Sequence, residues 1–198
     1  GIWSPTTTRS PLEVQNGDPR GFATRLEAVF QECHRVLQDD GLLILTYHHS
    51  RMEGWSAVYQ AIRRAGFFVA TTYPVKAEMA VAVPIQQASV PINLDLVIVC
   101  RKGLLESASY LAQEISLPTL VDETQKAVER LERISLKLSP GDVMVILMGC
   151  VLSHLSRIGN LSKELEVLDE LESRIDMLVK RIRVDKSASI SICPEEVS

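Results

Sequence analysis

The sequence lacks the features that mark secreted, membrane-spanning or strongly basic proteins. It has four cysteines and none of them forms a CxxC pair, so neither a disulfide framework nor a structural zinc site is expected. The longest apolar run, residues 143–152, is too short to span a bilayer, and no signal-peptide pattern opens the chain. The net charge of −4 provides no general attraction for nucleic acid. We expect a cytoplasmic protein without a membrane partner, whose DNA contacts are local or come from other sequence.

The beginning of the chain has no methionine and no clear hydrophobic periodicity. Gly1-Ile2-Trp3 leads into a stretch rich in proline, threonine and glycine, which predicts a loop over residues 1–21. With 198 residues and 46% hydrophobic content, the chain can bury one core and carry a helical appendage. We expect it to be an incomplete piece of a larger protein.

Residues 22–103 alternate between helical and strand patterns. Apolar residues recur at three- and four-residue steps in the predicted helices, which end at turns containing Gly41 and Gly66. Continuous apolar runs follow, as is typical of strands buried on both faces in a parallel sheet. We predict an α/β fold, the C-terminal half of a Rossmann-like, doubly wound sheet. Its helices cover residues 22–37 and 54–65, and its strands cover residues 42–47, 67–75 and 94–100.

Beyond residue 103 the pattern predicts a region that contains only helices, over residues 104–184. Asp122 is the expected cap of its second helix, and Pro140 falls in the first turn of its third, where proline is tolerated. Apolar residues near heptad spacing predict one continuous last helix. Residues 185–198 are expected to form a flexible tail. The predicted helices cover residues 104–115, 121–138, 140–155 and 162–184.

One stretch resembles a protein family rather than only a fold. The stretch begins with Arg35-Val36-Leu37 and continues through a short polar turn and Gly41 into an apolar strand. It is similar to the helix and fifth strand of class I methyltransferases. Three further features restrict the resemblance to one family within that group: Thr46-Tyr47-His48-His49, Trp55 and Ala65-Gly66-Phe67. Together they resemble bacterial and archaeal adenine-specific DNA methylases of the zinc-ribbon-associated kind, often filed under a domain of unknown function. The likeness covers roughly residues 21–102, whose last two strands also look like those of the family.

The resemblance implies a methyltransferase function, but this chain lacks two motifs that such enzymes need. Such enzymes use S-adenosylmethionine and have a glycine-rich cofactor turn and an Asp/Asn-Pro-Pro-Tyr/Phe loop for the flipped adenine. Neither motif is present, because residues 17–21 contain one proline and no aromatic residue. We therefore assign no catalytic residue and expect no cofactor on this chain alone. The resemblance implies two partners, DNA and an N-terminal methyltransferase half, which carries the cofactor in the full-length protein.

The loop after the first predicted strand holds the candidate substrate contacts. Tyr47, His48 and His49 follow a strand end, where open α/β sheets bind ligands, and could contact a base or its phosphate. Alternatively, they are solvated loop residues that cap the next helix. Arg51 could pair with a phosphate or remain a free surface charge. Trp55 is either a core anchor or a stacking platform. No carboxylate or cysteine recurs at ligand spacing, so no metal site is predicted.

Two other charged features are open to more than one interpretation. Asp95 is an acid among aliphatic residues, and we expect it to face an edge or hold a backbone amide. Lys180, Arg181 and Arg183 form a basic cluster that could contact DNA phosphates. The cluster also falls at a predicted helix C-terminus, where positive charge complements the helix dipole.

Two alternative functions remain open. The chain could be a non-catalytic interaction module that self-associates through the heptad-like helix over residues 162–184. An exposed apolar seam on that helix would require a partner, whereas a seam buried on residues 143–155 would not. The same scaffold could also belong to an RNA or small-molecule methyltransferase, since fold does not determine substrate.

Overall fold

The computed structural model describes residues 19–77, 91–103 and 116–189, with side chains up to residue 182. Mixed α/β architecture is confirmed. The predicted helix over residues 104–115, and most of the predicted start and tail, lie outside the described residues. The helices are α1 (Pro19–Val36), α2 (Met52–Arg64), α3 (Leu117–Arg133), α4 (Pro140–Leu155), α5 (Leu161–Glu172) and α6 (Ile175–Ser189). The strands are β1 (Leu42–Tyr47), β2 (Phe67–Lys76) and β3 (Leu94–Lys102).

The three described strands form a sheet in the order β1-β3-β2. β3 is antiparallel to both neighbours, pairing Leu96 with Tyr47 of β1 and with Pro74 of β2. β1 and β2 therefore run in the same direction without touching. The expectation of parallel neighbours was wrong for these strands, because β3 is antiparallel to both and an apolar run does not fix strand direction.

Helices α2 and α4 pack on one face of this sheet. The fully buried Trp55 of α2 lies edge-on against Tyr47, and Gly149 of α4 approaches Leu96 so closely that a methyl group there would lie 2.8 Å from it. The opposite face is different, because several large apolar side chains on it remain exposed. They are Leu42, Ile44, Tyr73 and Val75.

Helix α3 starts and ends earlier than the sequence predicts. It begins after Ser116, and Pro118 occupies its first turn, so Asp122 is not its cap. Asp122 instead pairs on the surface with Lys126. The helix stops because Ser135 adopts a φ of 65°, and the N–H groups of Ser135 and Leu136 donate back to the carbonyls of the last turn. This is a Schellman closure with serine where glycine is favoured.

The predicted helix over residues 162–184 is divided into α5 and α6. The helical hydrogen bonding stops at Ser173, whose hydroxyl donates to the Glu170 carbonyl at 2.9 Å and so competes with the backbone. α6 then continues to Ser189, so the predicted tail begins in a helix. Helix α5 contacts α2, and α6 contacts α4. Six of the seven apolar residues at heptad-like spacing are buried, and the seventh, Leu165, is half-buried. The six are Leu168, Leu171, Ile175, Leu178, Val179 and Ile182.

A buried ion pair connects α5 to α2. The guanidinium of Arg63 donates to both carboxylate oxygens of Glu164, at 2.9 and 3.1 Å, and Tyr59 donates to the same carboxylate at 3.1 Å. Burial lowers the pKa of Arg63, but its contacts with Glu164 outweigh that effect and keep it above the ordinary value. The helical region and the sheet thus share one core.

Candidate functional site

The predicted site residues lie where β1 ends and β3 begins. Strands β1 and β2 run in the same direction, and β3 lies antiparallel between them. The carboxyl ends of β1 and β2 therefore lie beside the start of β3, at one end of the sheet. Tyr47 is the last residue of β1, and Lys76 is the last of β2. The loop between β1 and α2, residues 48–51, borders this end.

Three of the predicted contacts turn inward and form an aromatic cluster. The ring of Tyr47 is stacked on that of His49, with centroids 6.3 Å apart, and is edge-on to Trp55 at 5.1 Å. The Tyr47 hydroxyl donates to the Gly54 carbonyl at 2.9 Å, and Trp55 donates to the His49 carbonyl at 3.0 Å. Burial raises the pKa of Tyr47 to about 12. Trp55 is fully buried and is therefore a core anchor, the first of its two interpretations.

His49 stabilises its own turn. Its Nδ1 lies 3.0 Å from the Arg51 amide nitrogen and 2.9 Å from the Arg51 carbonyl, so either tautomer finds a partner. Gly54 makes room for the ring, since a Cβ at that position would lie 2.3 Å from it. These contacts match the interpretation in which the histidine helps to start the next helix.

His48 and Asp95 face outward and pair with each other. His48 follows Tyr47, and Asp95 precedes Leu96, so their pairing continues the β1–β3 register by one step. The His48 Nδ1 hydrogen-bonds the Asp95 carboxylate, with 47% of the histidine side chain exposed. A carboxylate on one ring nitrogen orients an imidazole and leaves the other nitrogen free for a ligand. Asp95 lies near the start of the central strand β3 and not at a sheet edge, and the sequence did not reveal its partner.

The remaining predicted contacts are spread over the surface. Arg51 is exposed, with Glu53 3.8 Å away. Lys180 and Arg181 are exposed on α6, and the side chain of Arg183 lies outside the described residues. No hydrogen bond or ion pair joins the described side chains of Lys180 and Arg181 to the loop after β1, and the role of the cluster in DNA binding stays a prediction.

The described residues contain no group of three or more histidine, cysteine, aspartate or glutamate side chains placed to hold a metal ion. Cys33, Cys100 and Cys150 are free thiols, and burial raises the pKa of Cys100 to about 12. A thiol with a raised pKa is a poor nucleophile. None of the described helices combines the length and hydrophobicity needed to cross a membrane.

A cofactor site is not apparent among these residues. Residues 48–53 contain no glycine to allow close approach of a ligand to the backbone. The loop after β1 therefore does not provide the glycine-rich turn that the resemblance implies for S-adenosylmethionine.

Comparisons with protein-family models, with curated proteins and with solved structures gave no match for this chain.

Proposed function

We propose that this chain is the C-terminal part of a class I, S-adenosylmethionine-dependent methyltransferase that acts on adenine N6 in DNA. The observation that carries the proposal is the motif around Gly41, which resembles the helix and fifth strand of class I methyltransferases. The chain folds there as the helix α1, a turn and the strand β1. β1 lies in one sheet with β2 and β3, the two strands that look like the last two of that family.

The exposed face of the sheet supports the view that more polypeptide belongs to this fold. Leu42 is 42% exposed and Ile44 is 57% exposed, although both lie in a central apolar run. β1 pairs with β3 on one side and with no described strand on the other. Exposed apolar surface beside an unpaired strand is a place where another segment docks. A cofactor-binding half that adds strands next to β1 would cover both features.

In this proposal His48 and Asp95 belong to the wall of the substrate cleft. Ligands of open α/β sheets bind beyond the carboxyl ends of the strands, which is where this pair lies relative to β1. The exposed imidazole, oriented by the carboxylate, can hydrogen-bond a base edge or a phosphate. Tyr47, His49 and Trp55 hold the loop in place and have no direct role in the reaction.

The burial of the seam favours the proposal over the self-association alternative. The seam residues Leu168, Leu171, Ile175, Leu178, Val179 and Ile182 are at most 8% exposed, and Leu165 is half-buried. α5 and α6 therefore use their apolar faces within the chain. Methylation of RNA or of a small molecule remains the alternative that the experiment below separates from the proposal.

The test measures transfer of a labelled methyl group by the full-length protein that contains this chain. The substrates are duplex DNA with adenine, the same duplex without adenine, and RNA. We expect label on N6 of adenine only, and at least a tenfold loss of transfer in His48→Ala. His154→Ala is the matched control, because His154 also pairs with a carboxylate, that of Glu123 at 2.7 Å, away from the loop after β1.

Calorimetric titration of the 198-residue chain with S-adenosylmethionine completes the test. No binding is expected, because the glycine-rich turn is absent. Saturable micromolar binding would contradict the view that the cofactor half lies in other sequence. Label found only on RNA would show that the RNA methyltransferase alternative is correct. Equal activity of His48→Ala and His154→Ala would show that His48 does not contact the substrate.

A further inference from the structure

A second polar feature lies at the same end of the sheet, on the side of the helices. It is a cavity of about 400 Å³ between the end of β2, the start of β3 and the loop that joins α3 to α4. This volume is within the range of small-molecule sites. Its polar lining comes from Lys76, Asn93, Ser135, Lys137 and Asp142.

The one carboxylate of this lining is already saturated. Asp142 is fully buried and accepts hydrogen bonds from the backbone N–H groups of Ser139, Asn93 and Leu94, at 2.7, 2.6 and 3.0 Å. The Asn93 side-chain amide adds a fourth bond at 3.2 Å. The negative charge of Asp142 is thus stabilised by peptide groups and is not paired with a lysine.

Neither lysine has an acidic partner among the side chains that the structure describes. Among the residues whose side chains the structure describes, no carboxylate lies within ion-pairing distance of Lys76 or Lys137. The other described lysine near this sheet, Lys102, does have such a partner, Asp39 at 3.4 Å. Two unpaired ammonium groups on one cavity favour an anionic ligand, and the serine and asparagine beside them supply further hydrogen-bonding groups.

We propose that this cavity binds a phosphate group through Lys76 and Lys137. The phosphate belongs either to a nucleic-acid backbone or to a free phosphate-bearing ligand. The first source rests on the proposed function and deepens it. Lys76 pairs with Leu94, two residues before the partner of Tyr47, so the lysine and the end of β1 are about 12 Å apart by sheet geometry. A single strand that contacts His48 can reach the cavity within a few nucleotides.

The experiment measures fluorescence anisotropy of a labelled 12-nucleotide single strand with the 198-residue chain at low and moderate salt. Lys76→Ala/Lys137→Ala is compared with Lys126→Ala/Lys163→Ala, which removes the same charge from exposed positions on α3 and α5. We expect about a tenfold or greater loss of affinity in the first variant only, and a salt slope flatter by about 0.7, since the two lysines hold one phosphate and each single-strand phosphate contact contributes about 0.7. Thermal melts check that both variants fold.

Competition with inorganic pyrophosphate separates the two sources. A free phosphate ligand is indicated if pyrophosphate displaces the labelled nucleotide strand, if this displacement requires both lysines, and if calorimetry detects direct binding of pyrophosphate. Strand binding that depends on the lysines without pyrophosphate binding indicates a backbone phosphate. The proposal is overturned if the wild-type chain binds neither probe, or if the two double variants behave alike. This binding assay does not depend on methyl transfer. Failure of the phosphate site can therefore be distinguished from failure of the proposed methyltransferase function.

Discussion

Neutralising Glu164 should destabilise the protein more than any surface substitution. The Arg63 side chain is 3% exposed and that of Glu164 is 0% exposed, so the pair is shielded from water. Glu164→Gln keeps the size of the side chain but removes its charge. The guanidinium of Arg63 then stays buried with only the Phe67 carbonyl, 3.1 Å away, as an undisturbed partner.

The expected cost follows from what remains buried. Removing one member of a buried ion pair costs about 3 to 5 kcal/mol, because the other charge is left uncompensated. Domains of this size have a free energy of unfolding of about 5 to 15 kcal/mol, so the variant loses a large part of its stability. With a urea slope of about 2 kcal/mol/M, the unfolding midpoint should fall by roughly 2 M.

Urea denaturation followed by circular dichroism measures the effect. Glu166→Gln is the matched control, because Glu166 is exposed on the same helix and should change stability by no more than about 0.5 kcal/mol. Arg63→Met and the double variant Arg63→Met/Glu164→Gln complete a double-mutant cycle. The double variant should cost at least about 2 kcal/mol less than the two single changes added together.

Two results would refute this reasoning. If Glu164→Gln and Glu166→Gln shift the urea midpoint equally, then the charge of Glu164 does not hold α5 on α2. If the cycle is additive, then Arg63 and Glu164 are not coupled and the contact is incidental.

Three further predictions follow from other contacts. Burial raises the pKa of Tyr47 to about 12, against about 10 in the unfolded chain. The free energy of unfolding should therefore fall as the pH rises from 10 to 12. Urea titrations should show a smaller fall over this pH range in Tyr47→Phe. Ser135→Gly should raise the melting temperature by stabilising the protein by about 1 kcal/mol, because Ser135 has a φ of 65°; an unchanged or lower melting temperature would contradict this. Asp142→Ala should cost about 2 kcal/mol or more in urea unfolding, because one buried and two partly buried backbone N–H groups lose their acceptor, whereas Asp169→Ala on the surface should cost little.

Elements formed by near neighbours in the chain were the best predicted. The strand at residues 42–47 and the helix at residues 140–155 match their predicted bounds. Pro140 lies in the first turn of α4, as predicted, and Ser139 with Asp142 forms a capping box at that end. Periodicity, caps and stop residues act over a few positions, so a single sequence contains this information.

The errors occur where local patterns compete with tertiary packing. The seam over residues 162–184 predicted one helix, yet the chain breaks at Ser173 and both halves still bury their apolar residues. The apolar run of β3 predicted a strand but not its reversal between β1 and β2. A pattern of apolar residues requires burial, and several arrangements of strands and helices satisfy that requirement equally.

By itself, the sequence determined the strands, the helix at residues 140–155 and the position of a polar loop after β1, because these depend on residues close together in the chain. Only the tertiary structure decided which residues of that loop face outward. It turned Tyr47 and His49 inward and brought Asp95 to His48 across 47 positions of sequence. It also gathered Lys76 and Lys137 on one cavity. Contacts between distant residues arise from how helices and strands pack, and no local pattern in the chain records them.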